Sequence, residues 1–224
     1  MLRKEQNDLL TQTGRSCLVR SQPSGRSDDG PVRCAMGESS EGVTTMPNKG
    51  DFGTRELHET VRGGERVLIR RFRAEDKELY ADFMRDVSAD DLRLRFFGRV
   101  AELSREEVNK LTHLDYSHEM AFIALDEHAG HMLGLVRLKE ELDEKTAEFA
   151  ILVLSRLKGH GLGWLLMRRV IDYAKEKGLR RVYGDVLVEN TTMLQMCAEL
   201  GFHELDIGSG VRRVILDLKN GAGQ

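Results

Sequence analysis

Apolar positions fall into regular patterns only after residue 65. A β-branched run at Val67, Leu68 and Ile69 predicts a strand, and Ala74-Glu75-Asp76 opens a helical pattern with Leu79, Phe83 and Val87 on one face. Residues 90–97 read as a second short helix. Ser104, with Glu107 three positions later, marks the start of a third that runs to Thr112. Two apolar stretches, 120–126 and 132–139, flank Glu127-His128-Ala129-Gly130-His131, which is a hairpin signal. Residues 146–154 predict another strand, almost entirely apolar apart from Glu148. From Gly161 onward Leu162, Leu165, Leu166, Val170, Ile171 and Ala174 keep helical spacing until Gly178 stops it. A strand over 181–188, a helix over 191–200 ended by Gly201, and strands over 203–207 and 211–218 complete the order βααα-βββ-αβ-αββ. The pattern predicts a mixed α/β fold with one sheet, in a single domain over residues 65–220.

Residues 1–64 show no such period beyond a weak Leu9-Leu10 patch. They are rich in Gly, Ser, Thr, Asn, Asp and Arg. They cannot bury enough apolar surface to offset chain entropy, so a disordered N-terminal extension is expected. With 40% hydrophobic residues, the remainder of the chain can still build a sizeable core. The 34 basic and 37 acidic side chains leave −3, which offers no electrostatic case for nucleic acid or an anionic membrane as partner. No apolar run nears the roughly 18 residues of a membrane span, and the first 30 residues lack a secretory h-region, so a cytoplasmic protein is expected. Cys17, Cys34 and Cys197 are odd in number and lack CxxC spacing, which argues against a disulfide framework or a cysteine zinc site. His113, His118, His128 and His131 have no metal-like spacing either, so no metal is expected.

Residues 152–163 hold a strand end, a glycine-rich turn and a helix start in direct succession. Glycines at alternate positions let backbone approach a ligand, and the free N–H groups of a first helical turn favour a phosphate or pyrophosphate. Alternate glycines alone fit a tight turn without ligand equally well. A dinucleotide fingerprint is excluded, because the sixth position is Trp164 counted from Gly159 and Leu166 counted from Gly161. No Gly-Lys-Ser/Thr run supports a Walker loop.

Arg156, Gly159 and Gly161 match Arg/Gln-x-x-Gly-x-Gly/Ala, and in this the stretch resembles motif A of the GNAT N-acetyltransferases. The resemblance covers residues 67–218 and implies a central mixed, mainly antiparallel sheet flanked by helices. It implies acetyl-CoA as co-substrate, with the pyrophosphate on Arg156, Lys158, Gly159, His160, Gly161, Leu162 and Gly163, and the pantetheine arm along Leu152, Val153 and Leu154. Residues 186–194 followed by Leu200-Gly201-Phe202 are similar to the family's motif B, which points to Asn190 as a cofactor contact. Asn190 is equally suited to cap the following helix, and the two roles can coexist.

Glu148 stands four residues before Leu152, the position of the family's general base. A carboxylate in so apolar a strand is expected to be buried at a cost of several kcal/mol, which functional placement explains more simply than an ion pair with a surface Arg or Lys. Burial would raise its pKa toward a useful range. Many relatives hold a Tyr where this chain has Cys197, and the thiol reads as a packing residue. The wording of residues 67–70, 94–98 and 115–124 is similar to Pat-type bacterial protein lysine acetyltransferases. An acceptor protein lysine is therefore expected. A small-molecule amine acetyltransferase and a non-catalytic CoA-binding module are the alternatives, and monomer and homodimer remain equally open.

Overall fold

The apolar runs at 120–125 and 132–138 become two neighbouring strands buried on both faces, which is why they read as continuous rather than alternating. The computed structural model describes residues 53–97, 114–141, 143 and 145–218. The extension up to residue 52 and the helix predicted over 104–112 lie outside the described residues. Eight strands form one sheet: β1 (Leu57–Thr60), β2 (Arg66–Arg71), β3 (Glu119–Asp126), β4 (Met132–Glu140), β5 (Thr146–Val153), β6 (Arg181–Leu187), β7 (His203–Gly208) and β8 (Val211–Asp217). Their spatial order is β1-β2-β3-β4-β5-β6-β8-β7, and each pairing is antiparallel except β5 with β6. The sheet is mixed and mainly antiparallel, as the resemblance implies.

The described helices are α1 (Lys77–Asp86), α2 (Ala89–Phe96), α3 (Leu162–Lys177) and α4 (Thr191–Glu199). The apolar stripe of α3 packs across β3, β4 and β5, while α1 packs on β4 through Tyr80 and Phe83. The approach to α1 is set by a buried pair in which Arg70 donates two hydrogen bonds of 2.7 Å to Asp76. Gly178, at φ +80°, closes α3 by donating to the Lys175 carbonyl, and Leu179 donates back to Ala174.

Order begins earlier than the pattern suggests. β1 lies inside the stretch assigned to the extension, yet Leu57 to Thr60 pair with Ile69 to Arg66 at the sheet edge. Three of its four residues are exposed, so main-chain pairing holds it without an apolar period.

β5 and β6 pair only at Thr146–Arg181, Ala147–Val182 and Glu148–Tyr183. Beyond that point β5 stays with β4 as far as Val153, and β6 stays with β8 as far as Leu187. The next pair would be Phe149 and Gly184. The Phe149 ring, 4% exposed and edge-on to Phe202 at 5.5 Å, fills the space above Gly184. A Cβ at 184 would lie 2.7 Å from two atoms of that ring. Gly184→Ala is therefore expected to destabilise the protein by about 1–3 kcal/mol in denaturant unfolding, because the Phe149 ring would have to leave its edge-on contact with Phe202. An unchanged unfolding midpoint would show that the wedge is soft.

Candidate active site

From Phe149 onward, the β5 edge facing β6 has no strand partner among the described residues. The gap opens into a cavity of about 820 Å³, a size that accommodates a large organic ligand. Its walls are β5 from Glu148 to Val153, the end of β6 with the start of α4, and α2 with Asp91, Leu94 and Arg95. Its floor is the turn carrying Lys158, Gly159, Gly161 and Gly163.

This turn has a distinct local construction. A single 3-10 turn over Ser155–Leu157 ends β5, and Gly159 and Gly161 adopt φ +76° and +91°, where side chains are strained. Gly161 caps α3 without a side chain to accept from the first turn. The N–H groups of Gly159, Gly161, Leu162, Gly163 and Trp164 make no backbone hydrogen bond among the described residues. A 16-residue helix thus presents its positive end to the cavity, which suits a pyrophosphate.

Two basic side chains of the turn have acidic partners. Arg156 pairs with Glu65 at 3.1 Å, beside a second cavity of about 390 Å³ that it lines with Arg62 and His160. Lys158 and Ser155 both donate to Asp91, a carboxylate on α2 that is 5% exposed. Burial pushes the Asp91 pKa up, but hydrogen bonds from Lys158, Ser155 and Ser88 outweigh it and hold the group below its ordinary value. His160 accepts at its carbonyl from the Arg62 N–H, tying the β1–β2 turn to this loop. Leu152 and Val153 line the cavity, whereas Leu154 and Leu162 are buried in the core. Asn190 does line the cavity, and its side chain caps α4 by accepting from Met193 N–H at 3.3 Å.

Glu148 corrects one expectation. It is exposed at the cavity rather than buried within the sheet, because the parting of β5 from β6 opens the face on which it stands. The alternative, an ion pair with a surface Arg or Lys, is absent among the described residues. Desolvation by the surrounding walls nevertheless raises its pKa, with Arg95 opposing that shift and Asp185 and Glu141 adding to it.

Asp91, Arg62 and Arg95 belong to the site and escaped the sequence reading. Asp91 follows Asp90 in the first turn of a short helix, where acidic residues are ordinary, so nothing in the pattern distinguishes it. Among the described residues no cluster of three or more His, Cys, Asp or Glu side chains could hold a metal.

A sheet parted beside a helix start suited to an anion, with the Glu148 carboxylate between, fits an acyl-CoA-dependent transferase. The Acetyltransferase (GNAT) family model matches residues 82–202, and the chain belongs to this family of acetyl-CoA-dependent N-acetyltransferases, which act on acceptor amines. Acetyltransferase PA5475 of Pseudomonas aeruginosa is 34% identical over 146 residues, covering 64% of this chain and 78% of that protein. The GNAT domain of S. lividans PAT superposes with a TM-score of 0.67 at 26% identity, over 73% of this chain and 97% of that domain. A spermidine N-acetyltransferase from Vibrio cholerae, solved with CoA and spermine, superposes with a TM-score of 0.57 at 22% identity, over 70% of this chain and 98% of that one.

Cys197 is 1% exposed and is not among the residues lining the cavity. Burial, with Glu204 adding, pushes its thiol up to about 12, well above the roughly 8.5 of an ordinary thiol. A group that holds its proton so firmly is a poor donor to a departing thiolate. Cys197→Ala should keep kcat within about threefold of the natural protein, at a stability cost on the order of 1 kcal/mol. A fall of about 100-fold in a folded variant with normal acetyl-CoA affinity would contradict the packing role.

Proposed function

We propose that this protein moves the acetyl group of acetyl-CoA to the ε-amino group of a protein lysine in the cytoplasm, with Glu148 as general base. The placement of Glu148 carries this reading: it stands at the last β5–β6 pair, faces the cavity, has a raised pKa, and has no ion pair among the described residues. A lysine ammonium, with a pKa of roughly 10.4, must lose its proton before its nitrogen can attack. A carboxylate whose pKa is raised is a stronger base toward that proton than an ordinary one.

Acetyl-CoA supplies an activated thioester, in which the new C–N bond replaces a C–S bond and a stable thiolate departs. The chain's own residues hold and orient. The unpaired N–H groups of Gly159, Gly161, Leu162, Gly163 and Trp164 neutralise the pyrophosphate, the unpartnered β5 edge at Leu152 and Val153 takes the pantetheine amides, and Asn190 lines the opposite wall. The lysine acceptor is supported by the resemblance of residues 94–98 and 115–124 to Pat-type enzymes and by the likeness to the S. lividans PAT domain. The spermidine enzyme shares the fold at lower identity.

Mass spectrometry of host-lysate proteins incubated with the purified chain and acetyl-CoA should reveal lysines acetylated above the uncatalysed background. Turnover of spermidine or an aminoglycoside with no protein lysine modified would overturn the acceptor assignment. Glu148→Gln should lower kcat by roughly 10²–10⁴ with nearly intact acetyl-CoA affinity. In the natural protein kcat/KM should fall as pH drops through the raised Glu148 pKa, because the ionised form is the active one. That acid limb should vanish in Glu148→Gln, and a near-normal rate in this variant would remove the general-base role.

A further inference from the structure

The mouth of the cavity carries an aromatic side chain that proton transfer and pyrophosphate binding leave unused. Trp164, the chain's single tryptophan, is the third residue of α3 and lines the cavity beside Gly161 and Gly163. It is 36% exposed, so a large apolar ring stands at the water boundary. One turn further along the helix, the Arg168 guanidinium lies 4.8 Å from the ring centroid. Among the described residues no aromatic ring stacks on the indole.

The backbone N–H of this same residue belongs to the unpaired group that faces the anion. A CoA pyrophosphate seated there is joined through one ribose to an adenine, so the base must lie within a sugar's span of the helix start. The mouth of the cavity, at Trp164, meets that requirement. We propose that Trp164 is the platform on which the cofactor's adenine stacks, with Arg168 covering one face of the indole and the base taking the other. The assignment rests on the reading of the cavity as a CoA site. It adds a specificity element for the nucleotide end, whose contribution is the sequence-independent stacking of a base on an aromatic ring.

Because Trp164 is the only tryptophan, the fluorescence of the full chain excited at the indole band reports on this ring alone. Titration with CoA should give saturable quenching with the dissociation constant that calorimetry returns. Titration with 4′-phosphopantetheine, which has the same arm and no adenosine, should leave the signal unchanged. Trp164→Ala should weaken CoA affinity about tenfold and leave phosphopantetheine affinity within about twofold, while Trp164→Phe should restore CoA affinity to within about threefold. Undiminished CoA affinity in Trp164→Ala, or an equal loss for both ligands, overturns the stacking assignment and leaves the CoA reading standing. No CoA binding to the natural protein in calorimetry overturns both.

Discussion

The site depends on one break in the sheet, the end of the β5–β6 ladder at Glu148 and Tyr183, just before the Phe149 ring seated above Gly184. Had the β5–β6 ladder continued, the peptide groups of residues 149–153 that point away from β4 would be satisfied by β6 and no opening would exist. The ladder ends where the Phe149 ring sits in the place a Cβ of residue 184 would take, and beyond it the β6-facing groups of β5 have no strand partner among the described residues. A polar backbone group without a partner, once water is displaced, costs on the order of 1–3 kcal/mol, which makes the β5 edge receptive to any extended ligand that carries amides. The same parting exposes Glu148 to the cavity, so this carboxylate and the groove share a single origin.

The electrostatics of the floor are less basic than the residue types suggest. Arg156 and Lys158 look like phosphate ligands, but Glu65 and Asp91 pair with them. The positive character that remains comes from the backbone N–H groups and the dipole of α3, which are fixed in direction and require no reorganisation when an anion arrives. Asp91 also joins α2 to this turn, while Arg93 on the same helix pairs with Glu189 beside α4. One short helix is therefore anchored to two separate walls of the cavity.

The long periodic elements were legible in the sequence because burial imposes a period. α3, with its apolar stripe and its glycine stop, and α4, with Asn190 at its start and Gly201 just after its end, fall where the spacing places them. The turn at 155–161 was legible because only glycine tolerates φ values of +76° and +91° without strain. β1 was not, since an exposed edge strand held by main-chain hydrogen bonds leaves no side-chain signature. The exposure of Glu148 was hidden for a related reason: its flanking residues describe an interior strand, and the divergence that opens its face lies between β5 and β6, which are far apart in the chain. Asp91 became visible only when folding brought Ser155 and Lys158 to it across more than 60 positions.

The β1–β2 hairpin gives the catalytic unit a boundary that composition conceals. Its turn meets the glycine-rich loop twice, through the Arg62 N–H on the His160 carbonyl and through Glu65 on Arg156. Trimming the chain at residue 64, where the apolar pattern begins, would strip the loop of the first contact and remove β1 from the edge of the sheet. Arg55 and Glu56 just upstream of β1 are tied in as well, the Arg55 carbonyl by Arg169 and Glu56 by Arg73, so the last residues of the low-complexity stretch belong to the folded unit.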